Sequence, residues 1–328
     1  MRRHRSGRMS LARRILLSAL LFAPVLSFAQ APQKPVQIVV PFAPGASADG
    51  IGRILAAELT NRLGRQVVVE NKAGAGGSLG LLAVAKAPPD GDTLAIAATG
   101  ALVINPQFPN ASPIDPLRDL VPIAKLIEIP VVLVANPNVG PTSVRDLIER
   151  SKTSPNGVNY GSTGVNSGQH LAMELLKRAT GGNLVHVPYR GSAPAVTDLL
   201  GGQIPVASVD LTSAYSHIQA GSLKALGLAD KRRSALVPQV ATIEEGGVPG
   251  FGQEPGFIGL FAPAGTPDAV IKKLTREIGE ILALPEVQSR VRSLAAEVAY
   301  LDNAAFATLL SAESAKWKSA LRTIGLTD

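Results

Sequence analysis

Cysteine is absent from the 328 residues, which excludes disulfides, thiolate zinc sites and cysteine nucleophiles and leaves stability to packing. Aromatic residues are scarce, at eight Phe, four Tyr and one Trp, too few for a platform on which nucleic-acid bases stack. No run of five or more Lys or Arg follows Arg14, so no stripe tracks a phosphate backbone, and nucleic acid is not an expected partner. Histidine occurs four times, at His4, His170, His186 and His217. Their spacing matches neither H-x-x-x-H nor H-E-x-x-H, so no metal site is expected, and no G-K-[ST] phosphate loop occurs.

Acidic residues are missing from one end in particular. Residues 1–31 hold six Arg and no Asp or Glu, so the formal +7 of the whole chain falls to 26 basic against 25 acidic residues beyond them. The basic start, the apolar run Ile15 to Phe28 and the small residues Ser27, Ala29 and Ala31 read as a secretory signal peptide, cleaved after Ala29 or Ala31. The apolar run is shorter than the ~20 residues a membrane-spanning helix needs, which leaves an uncleaved anchor as the minor alternative. Arg13-Arg14 fits a twin-arginine signal and a plain basic segment equally well. The mature chain, without a spanning segment of its own, is expected in the periplasm. A chain of that size buries roughly three quarters of its unfolded surface, enough for two ordinary domains.

What is present is alternation. Short β-rich runs, Val36 to Val40, Val67 to Glu70, Thr93 to Ala98, Val131 to Ala135, Val158 to Gly161, Leu184 to Val187, Val206 to Val209, Ala225 to Leu228 and Gly259 to Phe261, alternate with stretches of helical period such as Ile51, Leu55, Leu59 and Leu63. This predicts an α/β fold with mainly parallel sheets. Thr266-Pro267-Asp268 reads as a helix start with Thr266 as cap, and a last helix is expected from Asn303, with Phe306, Leu309, Leu310 and Trp317 on its apolar face. Proline- and glycine-rich stretches at 136–141 and 246–256 divide the chain. The expected lobes are 32–135 with 257–328, and 136–256, with two crossing strands as a hinge.

In open parallel sheets, ligands collect at the carboxyl ends of strands, where helix N-termini present free N–H groups. Four strand ends carry suitable loops. The first, Pro41 to Asp49, has small residues that admit an oxygen to the backbone and a hydroxyl at Ser47; Ser47 and Asp49 serve equally as helix caps. The second, Tyr160 to Gly168, offers hydroxyls and backbone N–H groups without a cation, as suits a carboxylate held by neutral dipoles. In the third, His186 to Pro194, Tyr189 is placed to cover a ligand and Gly191 to admit it, while Arg190 is a counter-ion or a solvated charge. The fourth places Asp210 near the cleft, where it repels an acid unless water or an ammonium intervenes, or else caps a helix.

PFAPGASADGIGR, VVVENKAGAGGSLG, VAKAPPDGDTL, YGSTGVNSGQHLAMELL, HVPYRGSAPAVTDLLGGQI, IQAGSLKALGLADKRRS and FAPAGTP occur in this order. Together they closely resemble the substrate-binding proteins of tripartite tricarboxylate transporters, the Bug family, over essentially the whole mature chain. The resemblance implies a type II periplasmic-binding-protein fold, a carboxylate held between two lobes by loop backbone and ordered water, no cofactor, and a monomer that delivers its ligand to membrane transporter subunits. By position it places Phe42, Gly45, Ala46, Ser47 and Asp49 in one grip loop, Ser162, Thr163, Asn166 and Ser167 in the opposing one, Tyr189 and Gly191 in a third, and Thr99 and Gly100 facing the cleft. Two departures stand out, Ala46 where two glycines are usual and Asp92 where an aromatic is usual.

Gly76-Gly77-Ser78-Leu79-Gly80 spells the G-x-S-x-G of hydrolases, but Asn71 to Ala75 separate it from the strand such an elbow needs. The glycines 74, 76 and 80 lack the acidic residue a dinucleotide loop requires. The expected function is therefore an exported carboxylate receptor rather than an enzyme, with a hydrolase using Ser78, or a ligand-binding partner of a membrane sensor kinase, as alternatives.

Overall fold

The computed structural model describes residues 34–45, 47–108, 111–253, 255–323 and 325. The segment read as a signal peptide and the candidate contact Ala46 lie outside the described residues. In chain order the elements are β1 (Val36–Val40), α1 (Ser47–Leu63), β2 (Val67–Asn71), α2 (Ser78–Ala85), β3 (Thr93–Ala98), α3 (Pro116–Asp119), β4 (Leu120–Ile129), β5 (Val131–Ala135), α4 (Val144–Thr153), β6 (Val158–Ser162), α5 (Gly168–Thr180), β7 (Leu184–Pro188), α6 (Ser192–Leu200), β8 (Val206–Asp210), α7 (Leu211–Gln219), β9 (Lys224–Leu228), β10 (Gly256–Pro263), α8 (Asp268–Ala283), α9 (Pro285–Ser293), β11 (Glu297–Leu301) and α10 (Asn303–Thr323). None of the described helices is long and apolar enough to cross a membrane.

The strands form two sheets, one in the order β11-β4-β10-β3-β1-β2 and the other β7-β6-β8-β5-β9. Both are covered on both faces, which is why their strands read as apolar runs. Ile38 and Val40 join one core cluster of the first sheet and Val39 the other, while Leu133 and Val134 divide in the same way in the second. Successive side chains point to opposite faces of a strand, so each strand feeds two cores.

Parallel pairing joins β1 with β2 and β3, and β6 with β7 and β8. The remaining pairs, formed by β4, β5, β10 and β11, are antiparallel. Those of β5 and β10 follow from the crossings, since each arrives from the other sheet and runs against the strands it joins; β11 reaches β4 from within the same sheet, through α8 and α9. The change of sheet falls at Pro130. Val131–Ala135, read as closing the first lobe, pairs instead with β8 and β9 of the second sheet. The return strand begins at Gly256, opposite Ile129, so the two connections lie side by side.

Two strands escape the alternation pattern. β4 contains Pro122, Lys125 and Glu128, and β11 is short and half-buried. Thr266 does not cap α8: its hydroxyl donates to the Pro263 carbonyl at 2.8 Å, and Pro267 occupies the cap position without a side-chain bond. Asp268 still stands in the first turn, where the helix dipole favours an acid. The last helix begins at Asn303 as expected and buries Phe306, Leu310 and Trp317.

Candidate functional site

The loops singled out at the strand ends face one another across the two sheets. Ser47 Oγ, at the start of α1, and Thr212 Oγ1, in the first turn of α7, share a 2.7 Å hydrogen bond. Leu171 of α5 is fully buried in the same apolar cluster as Leu102 and Ile104, which follow β3. The carboxyl ends of β1 and β3 on one side therefore meet those of β6 and β8 on the other.

The first wall is organised by Asp49, which is 4% exposed. Its carboxylate accepts the Gly45 N–H at 3.0 Å, Arg53 Nε at 3.0 Å and Asn71 Nδ2 at 3.0 Å. Asn71 Nδ2 also donates to the Phe42 carbonyl at 3.1 Å, so one side chain ties both ends of the loop. Burial alone would raise the Asp49 carboxyl, but the hydrogen bonds from Arg53, Gly45 and Asn71, with the Arg53 charge, hold it below its ordinary value. Gly45 has a φ of 85°, a conformation that favours glycine. Asp49 thus shapes this loop and has no oxygen left idle. Thr99 is likewise engaged, accepting the Phe257 N–H at 2.8 Å and donating to the Phe257 carbonyl at 3.3 Å. Gly100, next to it, opens a wide turn closed by an Asn105 N–H to Gly100 carbonyl bond, and a side chain added at Gly100 would meet open space.

The second wall is built from the loops before α5, α6 and α7. Ser167 caps α5 by accepting the His170 N–H at 3.1 Å and donates to the Gly164 carbonyl at 2.8 Å. Asn166 holds a positive φ of 60°, and its N–H donates to His170 Nδ1 at 3.2 Å. Thr163 Oγ1 donates to Gln169 Oε1 at 2.8 Å, and Gln169 Nε2 donates to Asp210 Oδ1. Ser192 Oγ donates to Asp210 Oδ2 at 3.0 Å and accepts the Asp210 N–H at 3.2 Å. Asp210 makes no side-chain cap to α7; desolvation pushes its carboxyl above the ordinary value, against the pull of the Ser192 and Gln169 bonds. Tyr189 gives its hydroxyl to Asp198 Oδ2 at 2.8 Å and packs against the second-sheet core, with burial first and Asp198 second raising it to about 12. Gly191 stands before α6 with a φ of 120°, and a side chain there would again meet open space. Arg190 is exposed.

Behind this wall, the rings of His170 and His186 stack at 4.0 Å, and His186 stacks in turn on Tyr160 at 5.1 Å. Ser162, fully buried, shares a 2.6 Å bond with His186 Nε2. Burial and then the neighbouring His170 lower His186 to about 4, while burial also lowers His170, with Glu174 opposing and Lys177 assisting. The fold therefore holds the pair neutral where the unfolded chain would bind protons. Between pH 6.5 and pH 4 the unfolded state carries more protons, so stability is full above this window and declines as pH falls through it. From pH 7.5 to pH 5.0, His186 alone should cost at most about 2 kcal/mol, less to the extent that solvent screens this half-buried ring. Urea denaturation at the two pH values should show the wild type losing more than His186→Gln, by up to that amount. Equal losses would separate the loop's stability from this imidazole.

Several residues here went unread in the sequence: Arg53, Asn71, Gln169, Ser192 and Thr212. Arg53 had a local signal as the i+4 partner of Asp49, and Ser192 and Thr212 lie at strand ends that were singled out without a role for those residues. The hydrolase alternative does not fit the geometry. Ser78 is fully buried with its hydroxyl lacking a hydrogen-bond partner, while His170 and His186 belong to the second wall and His217 meets Ser222 at 3.2 Å.

Residues 51–326 match the family model of the tripartite tricarboxylate transporter family receptor, TctC. BugT of Bordetella pertussis is 39% identical over 252 residues, 76% of this chain and 77% of its own. Rpa4515 of R. palustris, solved with adipate, superposes with a TM-score of 0.84 at 30% identity, over 90% of this chain and 98% of its own. MatC of Rhodopseudomonas palustris, solved with bound malate, gives 0.80 at 31%, over 89% and 100%. The α/β two-sheet architecture is that of these binding proteins. The chain belongs to the tripartite tricarboxylate transporter receptor family, a family of solute-binding receptors and not of enzymes.

Proposed function

We propose that this protein, exported to the periplasm by the basic and apolar segment at 1–31, captures a small carboxylate between two lobes and delivers it to a tripartite tricarboxylate-type transporter in the membrane. The observation that carries the reading is the Ser47–Thr212 bond, which sets loops at the strand ends of both sheets against each other. We place the lobe boundaries at Pro130 and Pro255, where the chain changes sheet, with the rocking of the lobes as the open-to-closed step. Among the candidate contacts, we assign Asp49, Thr99, Ser162, Tyr189 and Asp210 to shaping the loops: Ser162 is fully buried against His186, and the others hold loop backbone or neighbouring side chains. Direct contact then falls to Phe42, Gly45, Ser47, Gly100, Thr163, Asn166, Ser167 and Gly191, and to the first-turn N–H groups of α5 and α6, which a helix leaves without internal partners. The adipate and malate held by the two neighbours support a carboxylate as the ligand class.

The test is a thermal shift of ligand-free protein against small carboxylates, neutral amino acids and sugars. A ligand at a hundred times its Kd stabilises the native state by about 2.7 kcal/mol, and the expected result is a saturable rise of several degrees with one group of acids. Stabilisation by sugars alone, or by none of the compounds, would overturn the carboxylate reading. Delivery is checked separately, by uptake of the identified acid into cells carrying the membrane subunits with and without this receptor.

A further inference from the structure

An ionised carboxylate only accepts hydrogen bonds, and a hydroxyl has one proton to give. Burial pushes the Asp210 carboxyl up, while the bonds from Ser192 and Gln169 favour its ionised form; in that ionised form Asp210 dictates the direction of each bond that reaches it. Gln169 turns its amide nitrogen to Asp210, which leaves its carbonyl for Thr163, and the single Thr163 proton is spent there at 2.8 Å. The Ser192 proton is spent on Asp210 itself at 3.0 Å. Ser167 has given its proton to the Gly164 carbonyl at 2.8 Å. The hydroxyls of Thr163, Ser167 and Ser192 are thus left with lone pairs, and the donors remaining beside them are the Asn166 side-chain amide and backbone N–H groups at the starts of α5 and α6.

We propose that Asp210 is a specificity-determining positioning residue which, through Gln169 and Ser192, makes the hydroxyls of this wall acceptors, so that the receptor selects acids carrying a hydrogen-bond donor, a hydroxyl or an ammonium, on the carbon chain. The inference rests on the reading of these loops as a carboxylate-binding cleft. The ligand's carboxylate takes the backbone N–H groups, and its hydroxyl or ammonium meets Thr163, Ser167 or Ser192. Ser167 and Ser192 each already accept one backbone N–H, so the cost of an acid without such a donor falls chiefly on the Thr163 oxygen, which is left without a donor in a closed cleft.

Asp210→Asn keeps the shape and exchanges one acceptor for a donor. If the new amide faces Gln169, that side chain must turn over and release the Thr163 proton; if it faces Ser192, the Ser192 proton is released. Either outcome creates a hydroxyl donor in the wall. The experiment is calorimetric titration of the full protein, freed of ligand, with two matched sets: succinate, malate and aspartate, and propanoate, lactate and alanine. In at least one set the wild type should bind the hydroxy or amino acid about 10-fold or more tightly than the parent acid, and Asp210→Asn should bring that ratio below about threefold. A loss of structure alone would weaken all members of a set together and leave the ratio unmoved. Gln169→Met, of similar size, cuts the relay to Thr163 and carries the same test if Asp210→Asn does not fold. Parent acids bound as tightly as their substituted partners, or a ratio unchanged in both variants, would overturn the inference and leave the carboxylate reading standing. No binding of any member by the wild type would overturn both.

Discussion

Asp49→Ala is expected to weaken binding of any carboxylate in the cleft by about 100-fold and to cost about 3 kcal/mol of stability. The effect is large because the carboxylate is the shared acceptor for the Gly45 N–H, Asn71 and Arg53. Removing it leaves the Gly45 N–H without its acceptor in a loop whose φ at Gly45 is 85°, and frees Asn71 to abandon the Phe42 carbonyl. The exposed Arg53 adds little to stability, since its guanidinium returns to water. Asp49→Asn keeps one acceptor oxygen but turns an NH2 toward a neighbouring donor, so it should fall between wild type and alanine. Calorimetric titration with the acid found by thermal shift, alongside urea denaturation, measures both effects. Full affinity in Asp49→Ala would mean that the first loop reaches its binding shape without its central acceptor.

The second large effect lies in the core. A Cβ placed on Gly259 in β10 would stand 2.4 Å from Cε1 and Cζ of Phe306, where carbon atoms pack at about 3.5–4 Å. Phe306 has no room to retreat: it is fully buried, edge-on to Phe257 at 5.6 Å and tilted against Phe261 at 5.4 Å. A close-packed interior passes such an intrusion to its neighbours. Gly259→Ala should therefore destabilise the protein by about 3 kcal/mol, the upper end of the usual range for overpacking. Phe306→Leu in the same chain removes the ring carbons that clash, so the double variant should be more stable than Gly259→Ala alone. A double-mutant cycle in urea reads the coupling directly. Simple additivity of the two losses would place the strain elsewhere.

The parts of the fold that were legible share one property, that their signal is local. A strand buried on both faces reads as a run of Val, Ile and Ala, and a helix laid over it reads as apolar residues three and four apart. β4 was not legible. Lys125 is 7% exposed within it, held by Glu128 at 2.6 Å, and Glu128 receives Arg232 from over a hundred residues away. Pro122 is tolerated beside a register shift in the pairing with β10. A charge and a proline argue against a central strand until the residues that neutralise the one and the bulge that accommodates the other are in place. The displaced crossing has the same origin. Val131 to Ala135 reads as a strand in any context, but which sheet it joins depends on Val206–Asp210 and Lys224–Leu228 coming alongside.

The candidate site divides in the same way. The α/β alternation, the glycine-rich loops at strand ends and, through seven motifs in order, the receptor family are readable from the chain alone, because periodicity and motif spacing are written in neighbouring residues. What the polar atoms of those loops do is set by the folded arrangement. Asp49 and Asp210 both looked like ligand contacts or helix caps, yet one is the hub of the first loop and the other directs Gln169 and Ser192. Ser47 meets Thr212, a residue 165 positions further on. A hydrogen bond is chosen by distance and direction in space, and no period in the chain encodes which donor will stand within 3 Å of a given acceptor once two sheets have closed on each other.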